Sequence, residues 1–257
     1  MRKLVLLVPL VGVGCLDYGY DNNIKEYPDS LVAPLEPTQQ EDRILQVTTP
    51  QVDVMWTIDN SCSMADEQDE LAENFPLFIN YFVGSGLDYH IGVTSTDIDR
   101  KTGNGNDGKL RMAGGVTFID NHTPLAEDVF SSMARMGTSG SGSEKGLGAT
   151  FKALEEKRDT ANVGFYRDDA SIHTVVISDE RDQTPSNIIS ANEFIDWYDG
   201  LKRSNDDRTF SCIVTMSGFD RGTAYLNTTA AIGGISWDIT DDDWSEVLER
   251  LGIQPSA

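Results

Sequence analysis

Two stretches constrain this chain more than any others. "VDVMWTID" (52–59) and "SIHTVVISDE" (171–180) are runs of apolar and β-branched residues that stop on an aspartate. A strand that is apolar on both faces belongs inside a parallel sheet covered by helices on both sides. Each run therefore predicts a buried parallel strand with its carboxylate just beyond the carboxyl end. Three oxygen-bearing side chains, Asp59, Ser61 and Ser63, follow the first run at alternate positions. Asp179 and Glu180 end the second.

The rest of the chain supplies the helices and further strands such a sheet needs. Leu71, Phe75, Phe78, Ile79 and Phe82 fall at helical spacing, with Pro76 as an expected kink. Leu147, Phe151 and Leu154 mark a second helix, and Ala191, Phe194, Ile195, Tyr198 and Leu201 a third. Trp244, Val247, Leu248 and Leu251 mark the last one, with Asp241 to Asp243 at its start to complement the helix dipole. "LDYHIGVTST" (87–96), "GVTFID" (115–120), "TFSCIVTMSG" (209–218) and "GISWDIT" (234–240) read as strands. Alternation of strands and helices predicts an α/β fold, doubly wound, with a mainly parallel central sheet flanked by helices. Ligands of such folds bind outside the carboxyl ends of the strands. The strand-end residues named above are therefore the candidate site.

A Gly/Ser loop, "GTSGSGSEKG" (137–146), leads into the second helix. If the strands at 52–59 and 171–180 are neighbours, this loop meets both strand ends. All the side chains offered there are carboxylates and hydroxyls. The chain has only 3 histidines, His90, His122 and His173, at no ligand-like spacing. Oxygen donors suit a hard cation, Mg²⁺ first, with Mn²⁺ or Ca²⁺ possible, and disfavour Zn²⁺ or Cu²⁺. The bland alternative is that Asp59 and Ser61 merely cap the following helix. The Gly/Ser loop lacks the G-K-[ST] ending of a phosphate loop, and "GTSGS" is not a G-x-S-x-G elbow. "DIDRKTGNGNDGKL" (97–110) fails the EF-hand pattern at Lys101 and Thr102 and reads as a polar hairpin loop.

"IDNSCSM" resembles the D-x-S-x-S motif of von Willebrand factor type A (VWA) domains, whose metal-ion-dependent adhesion site is abbreviated MIDAS. The resemblance spans about residues 49–253. Asp59, Ser61 and Ser63 match its first motif, Asp179 its third, and the Gly/Ser loop stands where the second usually offers Thr. It implies a Rossmann-like VWA fold and a divalent cation held by Asp59, Ser61, Ser63 and Asp179. Ser141 or Ser143 replaces the missing Thr, with Glu144 as the alternative oxygen donor of that loop, directly or through water, and Glu180 stands close by. One coordination position is left for an acidic side chain of a protein partner. No enzymatic activity is expected. A structural VWA domain without metal-dependent binding is the alternative. A serine hydrolase built on Ser61 ranks below it, because no histidine falls near a strand end.

The amino terminus carries a separate message. Arg2 and Lys3 precede an apolar stretch, Leu4 to Val13, too short to span a bilayer, and "VGVGC" resembles a bacterial lipobox ending at Cys15, although Gly12 stands where Leu is preferred. The expected organisation is a lipoprotein signal peptide at 1–14, a flexible Pro-containing tether at 15–48, and a VWA domain at 49–257. Cys15 is the expected lipidation site. The protein is then exported and anchored at the outer membrane or cell surface, and touches the membrane only through that lipid. Cys62 and Cys212 are expected to be buried free thiols. With 20 Lys+Arg against 42 Asp+Glu, the formal net charge of −22 excludes nucleic acid as a partner and attracts cations. Solubility alone would also explain that charge.

Overall fold

The computed structural model describes residues 50–253. The signal-peptide and tether expectations, Cys15 among them, lie outside the described residues. Six strands form one sheet: β1 (Gln51–Ile58), β2 (Asp88–Ser95), β3 (Ile119–Asp120), β4 (Ser171–Ser178), β5 (Arg208–Val214) and β6 (Ser236–Asp238). Their order is β3-β2-β1-β4-β5-β6. All neighbours are parallel except β2 and β3. The helices are α1 (Ala65–Ser85), α2 (Ala126–Ala134), α3 (Gly146–Phe151), α4 (Ala191–Asp199), α5 (Thr223–Ile232) and α6 (Ser245–Ile253). A π-helical turn, Lys152–Glu156, extends α3. Among the described residues no helix is long and apolar enough to cross a membrane.

The sheet is buried on both faces, as the apolar strands require. Val52, Val54, Trp56 and Ile58 of β1 pack with Phe75, Phe78 and Phe82 of α1, Phe130 of α2 and Leu248 of α6. Trp56 meets Phe78 edge to face at 5.2 Å, and Phe75 stacks on Phe130. Met55 faces the opposite layer with Leu147, Phe194, Tyr198, Phe210 and Tyr225. Two polar side chains of β1 are buried on the way. Thr57 shares a 2.8 Å hydrogen bond with Thr150. Asp53 accepts from the backbone N–H of Arg167 at 2.6 Å and from its guanidinium at 2.8 Å. Burial holds the Asp53 carboxyl above its ordinary pKa even so, with Arg167 pulling it back down.

Two expectations are corrected here. The predicted strand at 115–120 is only the two residues of β3, because Gly114 and Gly115 take positive φ in a turn closed by an Ala113–Val116 bridge. Cys62 is exposed, since it stands on the turn into α1; Cys212 is buried, and both thiols are free. Trp237 of the short edge strand β6 is partly buried against the core.

Candidate metal centre

The chain leaves β1 toward β2 on one side and later returns to β4 on the other. The switch in strand order therefore lies between β1 and β4, where a crevice opens at the carboxyl ends. Asp59 and Asp179 are the residues that follow these two strands. Asp59 is fully buried. Its N–H donates to the Ile177 carbonyl at 2.9 Å, which ties the end of β1 to β4. One carboxylate oxygen accepts from the Ser61 N–H at 2.7 Å and the other from the Ser178 hydroxyl at 2.6 Å. Ser61 is buried and its Oγ lies 3.3 Å from the Oγ of Ser63, which is exposed at the mouth. The capping alternative fails: α1 begins after Met64, and no side chain caps it.

Gln68 clasps the first loop to the Gly/Ser loop. Its amide donates to the Asp59 carbonyl at 2.9 Å and to the Gly137 carbonyl at 3.1 Å, and accepts from the Gly137 N–H at 3.2 Å. The Gly140 N–H donates to the Asn60 carbonyl at 2.8 Å. A Cβ at position 140 would stand 2.5 Å from that carbonyl oxygen, so only glycine allows the approach.

Beyond this close contact the loop presents Ser141, Ser143 and Glu144. Ser141 donates its hydroxyl to Asp99 at 3.2 Å and Ser143 donates its own to Gln183 at 3.4 Å. Both of the expected Thr substitutes are thereby directed to other partners. Glu144 is fully buried beside Asp59 and accepts from the Thr96 hydroxyl at the end of β2. Its Oε1 has no hydrogen-bond partner. Burial, then the negative charge of Asp59, pushes its carboxyl up to about 9. The residue in the position expected for a neutral hydroxyl is thus an acid that holds its proton at neutral pH.

Asp179 presents a buried Oδ1 with no partner, while the Thr215 hydroxyl donates to its carbonyl at 2.7 Å. Glu67, in the first turn of α1, presents a buried Oε2 with no partner. Burial raises the pKa values of Asp59, Glu67 and Glu180, and the charge of Asp179 adds to the rise in each. Among the described residues no lysine or arginine pairs with Asp59, Glu67, Glu144 or Asp179.

Buried acceptors without partners are rare in folded proteins and costly, about 1–3 kcal/mol each. Three of them on carboxyl groups, around a fourth carboxylate and two serines, match the donor chemistry of a hard divalent cation. The donor set mixes carboxylates with hydroxyls. Among the described residues no three Asp, Glu, His or Cys side chains alone make a ligand group. Glu67 and Thr96 had no role in the sequence reading. Thr96 ends a predicted strand, so the same strand-end rule that selects Asp59 and Asp179 would have selected it. Glu67 carries no comparable signal.

Fold and site together define a doubly wound α/β domain with a candidate oxygen-donor metal centre at its switch point. Neither protein-family models nor curated proteins match the chain. Among solved structures it is similar to a von Willebrand factor type A protein from Catenulispora acidiphila, at 17% identity and a TM-score of 0.46 over 80% of this chain and 42% of that one. It is also similar to proximal thread matrix protein 1 from the mussel byssus, at 12% identity and a TM-score of 0.48 over 80% of this chain and 47% of that one. A further structure of that mussel protein has a zinc-occupied MIDAS motif, at 13% identity and a TM-score of 0.44, covering 80% and 48% of the two chains. The chain spans less than half the length of these structures. What the site does is argued below from its own side chains.

Proposed function

We propose that the domain binds a protein partner through a divalent cation held at the switch point, and that it does no catalysis. The observation that carries this reading is the set of unpartnered buried oxygens on Glu67, Glu144 and Asp179 around Asp59. Asp59, Ser61, Ser63 and Asp179 would hold the ion, with Glu144 as the second-loop donor and Glu67 and Glu180 beside it. Mg²⁺ is the favoured ion, with Mn²⁺ or Ca²⁺ as substitutes. When bound, the cation offsets the mutual repulsion of these carboxyls and offers a coordination position to an acidic side chain of the partner.

The chain's own residues prepare that state. Ser178 and the Ser61 N–H orient Asp59, Gln68 and Gly140 lock two loops together, and Thr96 steers Glu144. Asp59 and Asp179 would be joined by the neutral hydroxyls of Ser61 and Ser63, a donor set that leaves the ion receptive to a further carboxylate. A hydrolase reading finds no support. Ser61 has Ser63 as its side-chain neighbour, His90 bonds the Phe165 carbonyl, and His173 is buried within β4.

The sequence supports export, with lipid anchoring at Cys15 and display at the outer membrane or cell surface. Substituting Cys15→Ser should abolish incorporation of a fatty-acid analogue; unchanged labelling removes the anchor. For the domain, a pull-down from envelope extract with and without EDTA tests the reading, using Asp59→Ala as control. The account expects a partner lost with EDTA and with Asp59→Ala. Capture unaffected by both would refute it.

A further inference from the structure

Beside the metal centre, the loop after β5 and the start of α4 and α5 enclose a groove of about 500 Å³ lined by Arg181, Gly218, Phe219, Arg221 and Asn227. Phe219 is 78% exposed, the highest value among the described large hydrophobic side chains. The Arg181 guanidinium lies over the Phe219 ring, 4.3 Å from its centroid. In a chain with a net charge of −22, basic side chains are scarce, and most described ones are held in ion pairs or hydrogen bonds. Arg181 and Arg221 are held in neither among the described residues.

The acids near this groove leave those two charges in place. Asp182 is turned inward, where it accepts from the Leu147 N–H at 3.1 Å and the Thr184 hydroxyl at 2.9 Å. Glu180 faces the charges of Asp179 and Asp59 at the metal centre as well as Arg181. Asp220 remains as the exposed acid on the rim.

We propose that this groove docks an acidic protein segment carrying an aromatic or large apolar side chain, which stacks on Phe219 while its carboxylates meet Arg181 and Arg221. The proposal rests on the cation-dependent reading in that one partner spans both features, with Arg181 two residues from Asp179. Charge complementarity selects the occupant: an acidic segment is repelled by most of this surface and attracted at this groove. Arginine offers such a segment a planar fork for carboxylate and a face for aromatic stacking. Phe219 supplies an exposed aromatic anchor of the kind that dominates interface energetics.

The test is fluorescence anisotropy with the full chain in Mg²⁺ and a fluorescein-labelled peptide of Glu and Phe residues. A Lys and Phe peptide of equal length is the control. The expected result is saturable binding of the acidic peptide alone. It should weaken by about tenfold or more in the Arg181→Glu, Arg221→Glu double variant and severalfold in Phe219→Ala. All three side chains are exposed, so these variants should fold, and circular dichroism checks that they do. Retained binding in EDTA, lost in the double variant, upholds the groove and sinks the metal as the partner's anchor. Loss in EDTA with no change in the double variant overturns the groove and leaves the metal reading standing. Equal binding of the basic peptide overturns the proposal, as does capture of phosphatidylglycerol vesicles without capture of the peptide.

Discussion

Replacing Glu144 by Gln should stabilise the cation-free protein and weaken its response to cation. The carboxyl is fully buried, one of its oxygens has no partner, and it titrates near 9 against an ordinary value of 4.5. A folded-state value above the unfolded one means the cost is absent below about pH 4.5. It grows as pH rises through neutrality and levels off near 9. At pH 7 the difference corresponds to about 3 kcal/mol. Gln keeps the acceptor for Thr96 and cannot ionise, so it removes that cost. In a domain of this size, about 3 kcal/mol moves the midpoint of thermal unfolding by roughly 6–12 °C. The assay is thermal and urea unfolding of wild type and Glu144→Gln at pH 7, in EDTA and then in millimolar Mg²⁺, Mn²⁺ or Ca²⁺. The expected pattern is a more stable variant in EDTA and a smaller upward shift on adding cation. If Glu144→Gln is less stable than wild type in EDTA, Glu144 is a structural hydrogen-bonding residue, and the argument that it is held ready for a cation collapses.

Three further predictions follow from the geometry. Gly140→Ala forces a Cβ to 2.5 Å from the Asn60 carbonyl oxygen, so it should cost about 1–3 kcal/mol in urea unfolding and lower cation affinity as well; wild-type affinity would mean the two loops are not coupled. Arg167→Met leaves Asp53 buried without its guanidinium partner and should cost about 3–5 kcal/mol, much of it regained in the Asp53→Val, Arg167→Met double variant. Additive losses in that double variant would contradict the pairing. His173 is buried within β4 and titrates near 3, below the unfolded 6.5, so the folded state resists protonation. The unfolded chain takes up that proton as pH falls below about 6.5, and stability should drop by about 1.4 kcal/mol per pH unit from there toward 3. His173→Asn should lose this component, read as the difference between the two proteins' unfolding free energies between pH 6.5 and 4.5; parallel profiles would refute it.

Much of the fold could be read from the strands. Apolar runs that stop at Asp59 and Asp179 imply a parallel sheet covered on both faces, and the site lies where that sheet reverses its strand order. Helices with a single apolar stripe, α1, α4 and α6, were equally legible. Helix α5 was not, because "TAYLNTTAAI" is small and polar over most of its length and buries Tyr225, Thr228 and Thr229 rather than a stripe. Helix α2 starts after Leu125 in a left-handed conformation that no local sequence pattern announces.

At the site, Asp59, Ser61 and Asp179 were legible because strand ends fix them. The second loop was not. Ser141, Ser143 and Glu144 follow one another within four residues, in a segment tied down by the Gly140–Asn60 contact and the Gln68 clasp. Both are tertiary, and spacing along the chain does not encode them. Glu67 joins the cluster for the same reason, since α1 brings it in by packing, whereas Thr96 stands at a strand end and was legible by the same rule as Asp59. The second loop therefore brings a buried acid beside Asp59 where a serine hydroxyl was expected.

The measurement that tests the central claim most directly is isothermal titration calorimetry of Mg²⁺ and Mn²⁺ into metal-stripped protein at pH 7. The Asp59→Asn, Asp179→Asn variant serves as control, with its fold verified by circular dichroism. The account predicts saturable binding of a single cation per chain, abolished in the variant. No heat in the wild type up to millimolar cation, or equal binding by the variant, would contradict it.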